Sequence, residues 1–166
     1  YRDAIDEVPN RIFAAKMQTL IAQRYFEYGY YDRAVTEFNN YIANYSDVAI
    51  RAGFEVDKAL YYLGRSQYEY GAQLIDKNQK ETGIDNLGDA TTTFERLLKQ
   101  FPDTDLKQNV YYNMALAYQK QATPDGLQKA IDQFNRLLAE YPETPNRKYC
   151  YFQTAVALQD LKKYDD

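Results

Sequence analysis

The chain has 166 residues, 45% hydrophobic and 27% charged, with a net charge of −4 spread over interspersed signs. That composition fits one ordered domain or one short repeat array and excludes the basic stripe of a nucleic-acid surface. Histidine is absent, which removes Ser-His and Cys-His nucleophilic pairs, His-containing metal sites and imidazole acid–base catalysis.

Tyr1 to Asn10 reads as a lead-in, a short helix or extended arm cut by Val8-Pro9. Asn10 can cap a helix that runs to Tyr28. Ile12, Ala15, Leu20, Ala22, Tyr25 and Phe26 form its broad apolar face, and Gly29 stops it. Tyr31 to Tyr45 is a second helix with Ala34, Phe38, Tyr41 and Ile42 on one side, and the short connection makes an antiparallel hairpin. A second pair follows. Arg51 to about Asn78 carries Phe54, Leu60, Tyr61, Leu63, Gly64 and Tyr68 at helical spacing, Lys77 to Gly83 is a polar turn, and Ile84 to Phe101 is the partner helix. The longer connection is expected to extend these two helices beyond the body, not to form a separate domain. The third pair is Asp105 to Gln121 and Leu127 to Tyr141, joined through ATPDG. A fourth begins near Asn146 with one helix and stops at Tyr164-Asp165-Asp166, where the first pair continues as Tyr31-Asp32-Arg33-Ala34. A longer array is the expectation, with a solvating terminal helix as the alternative.

Repetition is the strongest internal signal. FERLLKQFPDT, Phe94 to Thr104, returns as FNRLLAEYPET, Phe134 to Thr144, each preceded by an alanine one turn before its Phe. Ala, Phe and Leu at steps of four and three share a helix face, and Pro ends the helix. Ala34, Phe38, Ala90, Phe94, Leu97, Ala130, Phe134 and Leu137 are therefore the predicted core, and Pro102 and Pro142 are helix stops. Cys150, in an apolar-aromatic helical segment, reads as a small core residue.

Ile21-Ala22, Tyr25, Gly29, Tyr31-Asp32, Ala34 and Phe38 in the first pair are matched by Tyr112-Asn113-Met114-Ala115, Tyr118, Ala130, Phe134 and Pro142 later. This pattern resembles the tetratricopeptide repeat. The resemblance implies an all-α, right-handed solenoid of stacked antiparallel helix hairpins over residues 11–166. Its repeats fall at about 11–46, 51–102 with a long inserted turn, 105–142, and a truncated 146–166. Departures are the stretched turns, Ser46 where Pro is usual and Lys162 where Gly is usual. The Leu-Leu-x-x-aromatic-Pro-acid-Thr ending is similar to bacterial cell-envelope repeat proteins, among them the TolA-binding coordinator of the Tol-Pal system and the lipoprotein BamD. That resemblance implies a non-catalytic scaffold in the periplasm or at the outer membrane, a cytoplasmic one being the alternative.

Mapped onto this chain, the family's groove-lining positions are Lys16, Thr19, Gln23, Phe26 and Glu27 on the first helix. The implied partner-binding set is Lys58, Tyr61, Arg65 and Tyr68, then Asn109, Tyr112 and Leu116, then Tyr149 and Phe152. Tyr61, Tyr112 and Phe152 occupy one place in successive repeats. They form either an aromatic ladder for a protein or peptide partner, with Lys58 and Arg65 holding its acidic groups, or inter-repeat packing with local ion pairs to Glu55, Asp57 or Glu69. Thr19 and Gln23 stand where a chaperone-tail clamp would have Lys and Asn, which argues against that function. No catalytic residue, metal or cofactor is implied, and Asp76, Glu81, Asp85 and Asp89 are spaced as a solvated turn, not a ligand loop. No apolar run reaches the roughly 18 residues that a membrane span needs. Tyr149, Phe152, Ala155 and Leu158 leave open self-association, pairing with a further helix, or a purely architectural role.

Overall fold

The computed structural model describes the backbone of residues 2–165 and the side chains of residues 10–162. Its described residues form seven helices: α1 (Arg2–Glu27), α2 (Tyr31–Arg51), α3 (Val56–Asp76), α4 (Lys80–Gln100), α5 (Lys107–Gln121), α6 (Pro124–Glu140) and α7 (Arg147–Asp165). α1 packs on α2, α3 on α4 and α5 on α6 as hairpins, and the hairpins stack through α2–α3, α4–α5 and α6–α7. First helices also touch one another, α1 with α3 and α3 with α5, which places them on the inner side of the stack. The fold is an all-α solenoid of the tetratricopeptide type.

The predicted core is where the pattern placed it. Ala34, Phe38, Ala90, Phe94, Leu97, Ala130, Phe134 and Leu137 are all 0% exposed. Phe94 and Phe134 meet tyrosines of their own hairpin's first helix and Phe38 stacks on Tyr62 of the next hairpin, and truncating such a side chain to alanine costs about 3–5 kcal/mol. Cys150 is buried as well, and burial pushes its thiol up to about 11, so it stays protonated.

Several boundaries differ from the sequence reading, for local reasons. α1 starts at Arg2 and runs through Val8-Pro9 without a break, so residues 2–10 are continuous with the first helix. α2 continues past Ser46 to Arg51, because no proline stops it and Val48 and Ala49 extend its buried face. Gly53, at φ 73°, ends the turn of helix, and α3 begins only at Val56. Asn78, at φ 62°, closes α3 just as tightly, so Lys80 to Gly83 belong to α4 and the turn is three residues. The same closure appears three times: the N–H after the left-handed residue reaches back five residues, Tyr30 to Tyr25 at 2.9 Å, Phe54 to Ala49 at 2.8 Å and Gln79 to Leu74 at 2.8 Å. α6 starts differently. Thr123 caps it by accepting the Gly126 N–H at 3.0 Å, with Pro124 in the first turn.

The expected long inserted turn is instead helix: α3 and α4 have 21 residues each, as α2 has, against 15 in α5 and 17 in α6. Two glycines allow this. A Cβ at Gly71 would lie 2.7 Å from the Gly83 carbonyl oxygen, and one at Gly83 would lie 2.8 Å from that of Gly71. The two backbones therefore touch where any side chain would hold them apart. Between hairpins, the Pro-acid-Thr turns act as fasteners. The Thr104 hydroxyl donates to Asp57 at 2.6 Å and accepts the Leu106 N–H at 3.3 Å, and Thr144 accepts the Asn146 N–H at 3.4 Å in the equivalent place.

Candidate protein-binding groove

α3 supplies the centre of the inner surface because its helical period brings Lys58, Tyr61, Arg65 and Tyr68 to one side while Ala59, Leu60, Leu63 and Gly64 are buried. Tyr61 is half-buried, its ring 6.3 Å from that of Phe94. Tyr112 repeats the arrangement on α5, 6.1 Å from Phe134. Both rings thus rest on the phenylalanine of their own hairpin's second helix and show only one edge to the groove. Phe152 has the same register on α7 and is 63% exposed, and Tyr149 beside it is 61% exposed. The three rings are alike in position but not in environment: two are packed, one is bare. Burial pushes the Tyr61, Tyr68 and Tyr112 phenols up, so neutral hydroxyls face the groove. Asn113 on α5 donates to the Tyr61 hydroxyl at 3.3 Å, which ties the ring to the next hairpin. Leu116 is half-buried and Asn109 exposed on α5.

The cations are engaged. Lys58 pairs with Glu55 at 2.7 Å, in the open. The Arg65 guanidinium lies 4.9 Å from the centre of the Phe26 ring, with a long contact of 3.5 Å to Glu69, and its Nε has no hydrogen-bond partner. Arg65 is thus held by the Phe26 ring and Glu69, with its Nε buried.

Sequence reasoning missed two features. Tyr62, next to Tyr61, is the hub of the aromatic packing between the first two hairpins. It is stacked with Phe38 at 6.1 Å and lies edge-on to Phe26 at 5.4 Å and to Tyr61 at 5.5 Å. Three consecutive aromatics or apolar residues around a repeat signature were the available sign that one of them faces the preceding hairpin. The other feature is a cleft of about 520 Å³ between α1 and α3, floored by Tyr41, Phe54 and Ala59 and edged by Lys16, Thr19, Gln23 and Lys58. Lys16 Nζ lies 5.2 Å from the centre of the Phe54 ring. Phe54 belongs here because Gly53 turns the chain so that its ring enters the cleft from the connection, not from a helix face. Of the groove positions read from the sequence, Lys16, Thr19, Gln23 and Lys58 line it, while Tyr41 and Phe54 were not among them.

A second cleft, of about 630 Å³, lies where α4 meets the α5–α6 turn and is polar, with Asp85, Asp89, Thr92 and Glu95 in its wall. Tyr118 donates to Glu95 there at 2.7 Å, and Lys129 pairs with Asp125 at 2.7 Å. Asp76 lies 3.7 Å from Lys120. Among the described residues, no group of three or more metal-ligating side chains comes together, and no helix is long and apolar enough to cross a membrane.

The family described as YfiO, outer membrane lipoprotein, matches residues 68–164, more than half of the chain. The chain belongs to the YfiO outer membrane lipoprotein family. A comparison with curated proteins gives no match. The YfiO segment begins in the second half of α3 and runs through α7, so it includes Tyr68, Asn109, Tyr112, Leu116, Tyr149 and Phe152. The α1–α3 cleft lies outside it. Family and fold together support a helical scaffold that works by contact with other proteins.

Proposed function

We propose that this YfiO-family chain is a non-catalytic scaffold in outer-membrane assembly, on the periplasmic side, and that it holds an extended or helical segment of a partner protein along its inner face. The α1–α3 cleft carries the reading. It joins an apolar floor of Tyr41, Phe54 and Ala59 to Lys16 and Lys58 at the rim. Apolar partner side chains would fill the floor, and an acidic group would displace Glu55 from Lys58 or meet Lys16. From the cleft the surface continues over Arg65 to Tyr61, Tyr68, Tyr112 and Leu116.

The test is site-specific photo-crosslinking in cells. A photoreactive residue at Gln23, in the cleft, should give a discrete adduct that is lost in the Lys16→Glu/Lys58→Glu variant. The same residue at Lys99, exposed on a second helix, should not give that adduct. Both lysines are on the surface, so the variant keeps its fold. Adducts that persist in the charge-reversed variant, or arise only from Lys99, would overturn the groove assignment. A triple variant at Tyr61, Arg65 and Tyr112 that stays folded and still captures the partner would confine binding to the cleft alone.

A further inference from the structure

The α2–α3 connection enters the α1–α3 cleft much as a ligand would. Gly53 turns the chain, the Phe54 N–H donates to the Ala49 carbonyl at 2.8 Å, and the Phe54 ring lies under Lys16. The next residue, Glu55, lines the same cleft and reaches Lys58 at 2.7 Å. A polar side chain just before a helix commonly accepts from a free N–H of the first turn. Glu55 makes no such bond, although it stands in that place before α3. Asp57 takes the Lys58 N–H at 2.9 Å instead, and is itself fixed by the Thr104 hydroxyl at 2.6 Å. Among the described residues the Glu55 carboxylate therefore bonds to Lys58 alone. The backbone at this point is held, but both side chains are open, Glu55 at 64% and Lys58 at 49% exposed. The pair can part by side-chain rotation without moving α3.

We propose that Glu55 is a built-in competitor for the acidic side chain of the partner: in the free chain its carboxylate covers Lys58, and a segment settles fully in the cleft only when it brings a carboxylate to replace it. This rests on the groove reading above and adds what sets the selectivity of that groove. A segment without an acid meets the apolar floor but leaves Lys58 with Glu55. A segment with one exchanges an exposed ion pair for another of the same kind, so the exchange is nearly balanced and the hold of Glu55 tunes it. Phe54 takes no part in the exchange, because its ring is packed against the core.

The probe is a blocked peptide, acetyl-Phe-Glu-Phe-amide, with one side-chain carboxylate between two rings and no terminal charge. It is titrated into the isotope-labelled 166-residue chain, and the amide signals of Gly53, Phe54 and Lys58 are followed by NMR. Glu55→Gln should tighten binding about two- to fivefold, the range set by an exposed ion pair. The gain should vanish in a Lys58→Gln background and with acetyl-Phe-Gln-Phe-amide. Asp47→Asn removes the same charge from α2, outside the cleft, and should leave the affinity unchanged. Circular dichroism of the Glu55→Gln chain should match the parent, because no cap bond is lost. The proposal is overturned if Glu55→Gln fails to tighten binding, if the gain survives Lys58→Gln, if Asp47→Asn reproduces it, or if no chain shows saturable shifts. A Gln23 adduct in cells with no effect of Glu55→Gln refutes the competitor and keeps the groove. No adduct with a clear effect refutes the groove's occupant and keeps the competitor.

Discussion

Gly64→Ala tests how closely the second hairpin is packed. A methyl group at Gly64 would lie 2.7 Å from Cε1 of Phe94 and 2.9 Å from its Cδ1 and Cζ. Phe94 is 0% exposed and cannot swing into solvent. Two effects oppose each other. Alanine in a helix interior is favoured over glycine by about 1 kcal/mol. Forcing a methyl group into a filled core costs about 1–3 kcal/mol. Contacts on three ring atoms put this site in the upper part of that range, so the expected net effect is a loss of about 1 kcal/mol. Phe94→Leu removes the far ring atoms. In that background the same Gly64→Ala change should become stabilising by up to about 1 kcal/mol, a coupling of about 2 kcal/mol between the positions. Urea unfolding followed by circular dichroism measures all four chains. The reasoning fails if Gly64→Ala stabilises the chain with Phe94 intact, or has the same sign in both backgrounds. Ala22 and Ala115 occupy the equivalent positions of the first and third hairpins at 0% exposure, so alanine as such is compatible with the repeat, and the clash belongs to this hairpin.

Three further outcomes can be measured on the same chain. Thr104→Val removes the hydroxyl that donates to Asp57 and accepts the Leu106 N–H, and should lower stability by about 1–2 kcal/mol in urea unfolding. Gly53→Ala meets no atom within 4 Å, so its cost is the left-handed backbone alone, at φ 73°, and thermal unfolding should show a loss of about 1 kcal/mol. Tyr111 and Tyr118 are pushed up to about 12, by burial first and then by Glu140 and Glu95. Their folded values lie above the ordinary 10.0, so their contribution is complete below that pH and is lost as pH rises from 10 to 12. The unfolding free energy from urea titrations should fall across that window, by about 1.4 kcal/mol per pH unit per tyrosine at most, and Tyr111→Phe should make the fall shallower.

The fold was legible because its core is periodic. Ala, Phe and a large side chain (Tyr41, Leu97, Leu137) recur at one spacing in α2, α4 and α6, and that spacing alone assigns the buried face. Helix ends were less legible where a single left-handed residue sets them. Asn78 and Gly53 close α3 and α2 through backbone hydrogen bonds that no hydrophobic pattern records. The inner face was read from register, which correctly groups Tyr61 with Tyr112 and Phe152 on one helix position but cannot weigh how much of each ring its own hairpin covers. Tyr62 and the floor of the α1–α3 cleft were missed because each depends on several elements meeting: Tyr62 on the angle between two hairpins, and Tyr41 and Phe54 on one residue of α2 and the connection at Gly53-Phe54 reaching the rim that α1 and α3 supply.

The contact between Gly71 and Gly83 bears on the order in which the molecule assembles. These residues lie close along the chain, on either side of a three-residue turn, so bringing them together costs little loop-closure entropy. Contacts of short sequence separation form fastest, and in a repeat array order then spreads between nearest neighbours. The α3–α4 hairpin is thus expected to be the first cooperative unit and the last to open, with its central amides slowest in hydrogen exchange.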